Sequence, residues 1–241
     1  MDIDRLQKRF ASPSGDLRVF EDLSMKFPEN TITVILGPSG CGKTTLLNIL
    51  AGFMPYDGGV IRRKPKQISY LFQEPRLLPW RTVERNISLV LEHHITDRVK
   101  QNEAVHHYLE LVGLQRFAGH YPHELSGGMK QRAAIARAFA CPSQLLLMDE
   151  PFQALDLDLR ISLVNSFTRL WEEDPKTTIF VTHDIQEALM VADTVTVFSK
   201  APAQVRGTVK ISIPRSQRSL EDAELSKVER KVLSLLLSSR G

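Results

Sequence analysis

The chain has 241 residues, 42% of them hydrophobic and 24% charged, with a formal net charge of +3. That is an ordinary globular composition, enough for one large α/β domain or two small ones. It holds no dense Lys/Arg run to suggest nucleic acid and no run near the roughly 18 apolar residues of a membrane span. Its two cysteines, Cys41 and Cys141, are too few for a disulfide framework or a zinc site. The opening MDIDRLQKRF is charged and lacks the apolar stretch of a secretory signal. The chain is therefore expected in the cytoplasm, meeting a membrane only through a partner.

In chain order, TITVILG (31–37) predicts a strand and KTTLLNILAGF (43–53) a helix. Between them GPSGCGKT (37–44) matches the phosphate-loop pattern G-x-x-x-x-G-K-[ST] in the strand-to-helix context that pattern requires. Gly37, Pro38, Ser39, Gly40, Cys41 and Gly42 form the loop, and its glycines let backbone N–H groups turn inward toward phosphate. The helix beginning near Lys43 adds its positive end. Lys43 is a point charge for the β- and γ-phosphates. Thr44 offers a hydroxyl to Mg2+, and Thr45 is expected to reach the α-phosphate. Cys41 reads as a small filler.

QISYLFQ (67–73) predicts a strand ending on Gln73. From there to residue 125 the pattern turns helical, through TVERNISLVLEHH and EAVHHYLELVGL, which reads as a helical insert in a sheet domain. LSGGMKQR (125–132) then sets Ser126, Gly127 and Gly128 at the start of a helix, a second place to bind an anion. SQLLLMDEP (143–151) predicts a buried strand with Asp149 and Glu150 at its carboxyl end, where a parallel sheet puts its ligands. Asp149 is expected to hold Mg2+ through water, and Glu150 to orient the water that attacks the γ-phosphate.

LDLRISLVNSFTRLWEE (157–173) predicts an amphipathic helix, TTIFVTH a strand ending on His183, DIQEALMVAD a helix and TVTVFS a strand. The tail (219–239) puts Leu225, Val228, Val232, Leu235 and Leu236 on one helical face, either packed on its own domain or offered to a partner. The alternation of strands and helices predicts an α/β fold with a mainly parallel sheet. The expected division is a core of residues 1–73 and 133–215, a helical subdomain of 74–132 and a C-terminal helix within 216–241. Phosphate loop, hydroxyl and carboxylates together predict nucleoside triphosphate hydrolysis, a reaction governed by positioning and charge stabilisation.

Residues 37–44, Gln73, 125–132, 145–150, 154–156 and His183 occur in the order seen in the ATP-binding subunits of ABC transporters. The chain resembles that family to about residue 215. The resemblance implies a P-loop NTPase core plus a helical insert, the ABC ATPase fold. It also implies a homodimer paired head to tail, each ATP lying between the phosphate loop of one copy and the LSGG segment of the other. In this family Gln73 would reach Mg2+ and sense a membrane subunit, His183 would contact the γ-phosphate, and Asp156 would cross the dimer interface. An aromatic residue upstream of the phosphate loop would stack on adenine. Phe10 is the expected choice, although ASPSGD lengthens the gap, and Phe20 is the alternative. Two departures stand out: Gln153 replaces a usually small residue, and PEN (28–30) replaces a Gly-Glu turn.

FQEPRLLPW (72–80) and the segment 199–218 resemble the nitrate/sulfonate/taurine group of importers. Leu77, Leu78 and Trp80 would form a groove for a short helix of a separate transmembrane permease, or else pack locally. The expected activity is an ATP-hydrolysing importer motor, peripheral on the inner face of the membrane. A solute-binding protein is an indirect partner, and nucleic acid is not a partner. An exporter motor is the alternative reading. A soluble ABC ATPase working on DNA or ribosomes fits less well, because the chain has neither a long coiled-coil insertion nor a second ATPase unit.

Overall fold

Every residue of the strands Ile32–Leu36, Leu145–Asp149 and Thr177–Thr182 is buried. A strand covered on both faces belongs in a parallel sheet with helices on either side. The computed structural model describes residues 1–11, 15–153, 156–219 and 222–237, without the Leu157 side chain. Half of the ASPSGD gap, the first two residues of the 154–156 segment, and residues 220–221 and 238–241 of the tail therefore lie outside the described residues.

In chain order the elements are β1 (Asp2–Phe10), β2 (Leu17–Lys26), β3 (Ile32–Leu36), α1 (Lys43–Ala51), β4 (Gly58–Arg62) and β5 (Ile68–Leu71), then α2 (Val83–Leu91), α3 (Arg98–Leu111) and α4 (Gly127–Ala140). They continue with β6 (Leu145–Asp149), α5 (Leu157–Glu173), β7 (Thr177–Thr182), α6 (Ile185–Val191), β8 (Thr194–Phe198), β9 (Val205–Lys210) and α7 (Ala223–Leu237). The chain divides into two compact units.

The first unit comprises Met1–Lys66, Leu147–Glu150 and Thr177–Gly241. Its main sheet runs in the order β6-β7-β3-β8-β9. β3 is parallel to both β7 and β8, and β9 closes the edge antiparallel to β8. α7 packs on α6, β8 and β9. Leu225 and Val232 are sealed beneath it, and Leu235 reaches Gly207 of β9. The apolar face of the tail thus covers its own unit, the first of the two readings open in the sequence.

Two cations close the end of α6. Arg215 Nε donates to the Val191 carbonyl, and Arg218 Nη1 donates to those of Leu189 and Met190. Positive charge at a helix C-terminus complements the dipole. Burial is the first reason the Arg218 pKa falls to about 10, with Arg215 nearby adding to it.

A second, antiparallel sheet of this unit, in the order β2-β1-β4, is not anticipated by the sequence pattern. The reason lies in β1. Arg5 has φ of 50°, and the pairing of β1 with β2 shifts register three times. Such bulges break the two-residue alternation that announces a strand, so the buried Ile3 and Leu6 stand three positions apart.

The second unit comprises Gln67–Leu146 and Pro151–Lys176. α4 is its centre and packs against α2, α3 and α5. Its AAIARAFA stretch is buried almost throughout, at Ala133, Ala134, Ile135, Ala136, Ala138, Phe139 and Ala140. Small side chains let three helices approach one axis, and Phe139 meets the Phe167 edge at 5.8 Å. At the far end of α4 the buried Lys176 ammonium donates to the Cys141 and Ser143 carbonyls and pairs with Asp174. Among the described residues no helix is long and apolar enough to cross a membrane.

Candidate functional site

The phosphate loop leaves the buried end of β3 and enters α1 through Gly42, whose φ is 106°. A Cβ there would lie 3.0 Å from the Phe20 ring and closer still to Val19. Backbone conformation and the core beneath both require glycine at this position. Lys43 is buried, its ammonium donating to the Gly37 carbonyl at 2.8 Å and the Pro38 carbonyl at 3.2 Å. Those bonds fold the lysine back over its own loop. Cys41 is buried too, and burial pushes its thiol pKa up, which suits a packing residue better than a reactive one.

Thr44 Oγ1 donates to Asp149 Oδ1 at 3.1 Å. A hydroxyl and a carboxylate are hard oxygen donors of the kind Mg2+ takes, so the pair fits that ion. Among the described residues no group of three or more His, Cys, Asp or Glu could hold a metal. Mg2+ does not need one, since it keeps several waters and takes its remaining ligands from phosphate.

Glu150 follows directly, with φ of 44°, a left-handed conformation unusual for a side chain of this size. Its N–H donates to the Val181 carbonyl, which holds the turn. Its carboxylate lies 3.0 Å from His183 Nδ1, the carboxylate mostly covered and the imidazole half exposed. His183 is fixed by its neighbours. Thr182 Oγ1 donates to Glu187, the Asp184 N–H donates to Thr182 Oγ1, and Asp184 caps α6 through the Glu187 N–H. The strain at Glu150, of order 1–3 kcal/mol, turns this carboxylate out of the strand direction to meet the imidazole. A cavity of about 740 Å³ opens here, with residues 37–39 and His183 on one side and Leu233, Leu236 and Leu237 of α7 on the other.

The aromatic candidates separate clearly. Phe20 is fully buried beneath Gly42 and supports the loop from below. Phe10 ends β1, half-buried, with the Lys8 ammonium 5.2 Å from its ring centroid.

The remaining predicted residues belong to the second unit. Ser126 caps α4, its hydroxyl accepting from the Met129 N–H at 3.3 Å. Gly127 and Gly128 form the first turn. A Cβ on Gly128 would come within 3 Å of the Leu159 side chain, whereas one on Gly127 would meet nothing within 4 Å among the described residues. Asp156 caps α5 through the Leu159 N–H at 2.9 Å. Gln73 follows β5 and donates through Nε2 to Gln153 Oε1.

The 72–80 segment is built by residues no motif announces. Phe72 is held between Tyr70, whose ring centroid is 4.2 Å away, and the Arg76 guanidinium at 3.8 Å. Arg137 of α4 donates to the Pro75 and Arg76 carbonyls, and burial lowers its pKa. The buried Asn86 carboxamide accepts from the Leu78 N–H and donates to the Leu78, Arg81 and Thr82 carbonyls. Leu77 and Leu78 are half-buried against this frame, and Trp80 is 71% exposed.

The family profile of the ABC transporter matches residues 20–153, more than half of the chain. The chain belongs to the ABC transporter family. It is 38% identical over 237 residues to the aliphatic sulfonates import ATP-binding protein of Bacillus cereus, covering 93% of this chain and 92% of that one. It is also 38% identical over 240 residues to the taurine import ATP-binding protein of Escherichia coli O157:H7, covering 94% of each. An ATP-binding cassette solved as a dimer in a post-hydrolysis state with ADP and phosphate superposes with a TM-score of 0.75 at 27% identity. That match covers 88% of this chain and 99% of the solved one. This ABC chain is accordingly an ATP-binding subunit with the cassette fold, and its family couples ATP hydrolysis to transport.

Proposed function

We propose that this chain is the motor of an importer that takes up a small sulfonate-like or related anion, binding and hydrolysing ATP with Mg2+. The observation that carries the hydrolytic role is the Glu150–His183 pair beside the Thr44–Asp149 pair, all on the unit that bears the phosphate loop. Lys43 and the loop amides bind the β- and γ-phosphates. Glu150 accepts a proton from the attacking water or aligns it, and His183 holds that carboxylate in place and contacts the terminal phosphoryl group. Mg2+, when bound through Thr44, Asp149 and Gln73, would neutralise charge on the phosphate oxygens. Phe10 stacks on adenine.

Ser126, Gly127 and Gly128 serve the ATP of a second copy, and Asp156 crosses to that copy. The dimeric state of the related cassette supports this head-to-tail pairing. A separate permease receives the motion through the 72–80 segment, where Trp80 stands exposed on a frame fixed by Arg137 and Asn86. Residues 74–132 act as the helical subdomain that carries both the permease contact and the LSGG segment. The working location is the inner face of the membrane, and a solute-binding protein selects the cargo. Relatives named for import of aliphatic sulfonates and of taurine support the substrate class.

Light scattering on Glu150→Gln tests the reading. With ATP the variant is expected to form a stable dimer with two nucleotides held, and a variant that stays monomeric at saturating ATP rules out the paired mechanism. Reconstitution with the matched permease and binding protein should make the ATPase respond to sulfonates.

A further inference from the structure

The backbone of residues 75–78 is held by side chains of two helices. Arg137 of α4 turns its guanidinium toward two consecutive carbonyls, Nη2 donating to Pro75 at 3.0 Å and Nη1 to Arg76 at 2.9 Å. Residue 76 is the joint between those carbonyls, and its φ of 44° is left-handed. A bend of this kind at a bulky residue is costly and persists only where its surroundings fix it. Two contacts do so here: the fork on the carbonyls and the Arg76 guanidinium lying over the Phe72 ring. Asn86 of α2 continues the hold, accepting from the Leu78 N–H at 2.7 Å, and its oxygen lies 3.5 Å from Arg137 Nη1. A planar fork of N–H donors suits two neighbouring acceptors in a way that a point charge does not.

The same helix begins with the LSGG cradle. Ser126 caps its start and Arg137 stands in its last turn, about 16 Å along the axis at 1.5 Å per residue. All of these residues belong to one compact unit. α4 is thus a rod with an anion cradle at one end and a grip on the 75–76 turn at the other. We infer that Arg137 is a positioning residue for transport: it locks the Arg76 turn to α4, so that a displacement of the LSGG end is carried to Trp80. This rests on the reading of residues 72–80 as the permease contact. Without the fork, hydrolysis continues and the push on the permease is lost.

Two measurements test this. The first uses the isolated full chain carrying Trp171→Phe, in which Trp80 is the one remaining tryptophan. Arg137→Met keeps an unbranched stem and removes the fork. Time-resolved anisotropy should then show Trp80 losing more of its signal on the nanosecond scale of loop motion, while basal ATP turnover stays parental. Arg137→Lys keeps a cation under the carbonyls, guards against a Met variant that fails to fold, and should fall between Met and the parent. The second measurement follows ATPase stimulation by proteoliposomes of the matched permease. Half-saturation in permease should rise about tenfold in Arg137→Met, the low end for one hydrogen bond to a charged group, and Trp80→Ala should weaken it as well. The double variant should lose no more than the worse single one, because Arg137 acts through the segment that bears Trp80. Unchanged anisotropy in Arg137→Met, parental half-saturation in that variant where Trp80→Ala is weakened, additive losses in the double variant, or an equal fall in basal turnover would each overturn the inference. Parental half-saturation in Trp80→Ala would instead overturn the permease reading, and the anisotropy would still decide whether Arg137 holds the turn.

Discussion

The two anion cradles proposed for this chain both sit at helix N-termini, yet they are built from opposite directions. The phosphate loop is shaped from beneath. Phe20 and Val19 press on Gly42, the Gly37 position abuts Cys41 and Phe198, and Lys43 is folded onto loop carbonyls. Gly37 and Gly42 are explained by the chain's own core, and Gly40 by its φ of 76°. In the LSGG segment Gly128 has such an internal reason, the Leu159 side chain. Among the described residues nothing lies within 4 Å of a Cβ placed on Gly127. One segment brings a cation, a hydroxyl and carboxylates from its own unit. The other offers a serine hydroxyl and backbone dipoles shaped for something that arrives from outside.

The first way to sharpen that contrast is to disable each cradle separately. Glu150→Gln should lower turnover by about 10²–10⁴-fold, the usual worth of a positioned general base, while ATP binding by calorimetry is at least as tight as in the parent. A variant that turns over within tenfold of the parent would remove Glu150 from the chemistry. Lys43→Ala should weaken ATP binding by about 10- to 100-fold, the range for one hydrogen bond to a charged group. Ser126→Ala, by contrast, should leave the affinity of an isolated monomer unchanged and lower turnover only where dimers form. If Ser126→Ala weakens monomer binding as much as Lys43→Ala does, the two cradles serve the same phosphate in one chain and the contrast collapses.

The phosphate loop, the two carboxylates, His183 and the LSGG segment were legible because each packs its chemistry into a few contiguous residues between recognisable elements. The runs of β3, β6 and β7 were legible for a related reason, being mostly apolar and buried from end to end. The β2-β1-β4 sheet was not, since the Arg5 bulge disrupts the alternation that would announce it. That Phe20 lies under Gly42 is a contact across more than twenty residues, which no local pattern announces. Asn86 and Arg137 gave no signal at all. A helical asparagine and a helical arginine are unremarkable until the carbonyls of residues 75–82 are found on them. Gln153 was visible as a departure, but its partner was not.

The next contrast is within the LSGG segment. Gly128→Ala forces its new methyl against Leu159, and overpacking of this kind costs about 1–3 kcal/mol. Denaturant unfolding should therefore show a lower midpoint, and Gly128→Ala combined with Leu159→Ala should recover part of it by removing the obstacle.

Gly127→Ala is the subtler and more decisive case. The position is helical, with no left-handed backbone to forbid a side chain and, among the described residues, no neighbour within 4 Å of the added carbon. Replacing glycine by alanine at such a site stabilises a protein by about 0.4–1 kcal/mol, chiefly by restricting the unfolded chain. For the folded monomer the substitution is thus an improvement, and the melting temperature should rise slightly. For a phosphate that must come close to the first amides of α4 it is an obstruction, and ATP-dependent dimerisation and turnover should fall. The two effects have opposite signs, so damage to the fold cannot account for the second. Should the variant gain stability and keep full activity, the Gly127 surface meets nothing in the working cycle, and the outside partner of this cradle must be sought elsewhere.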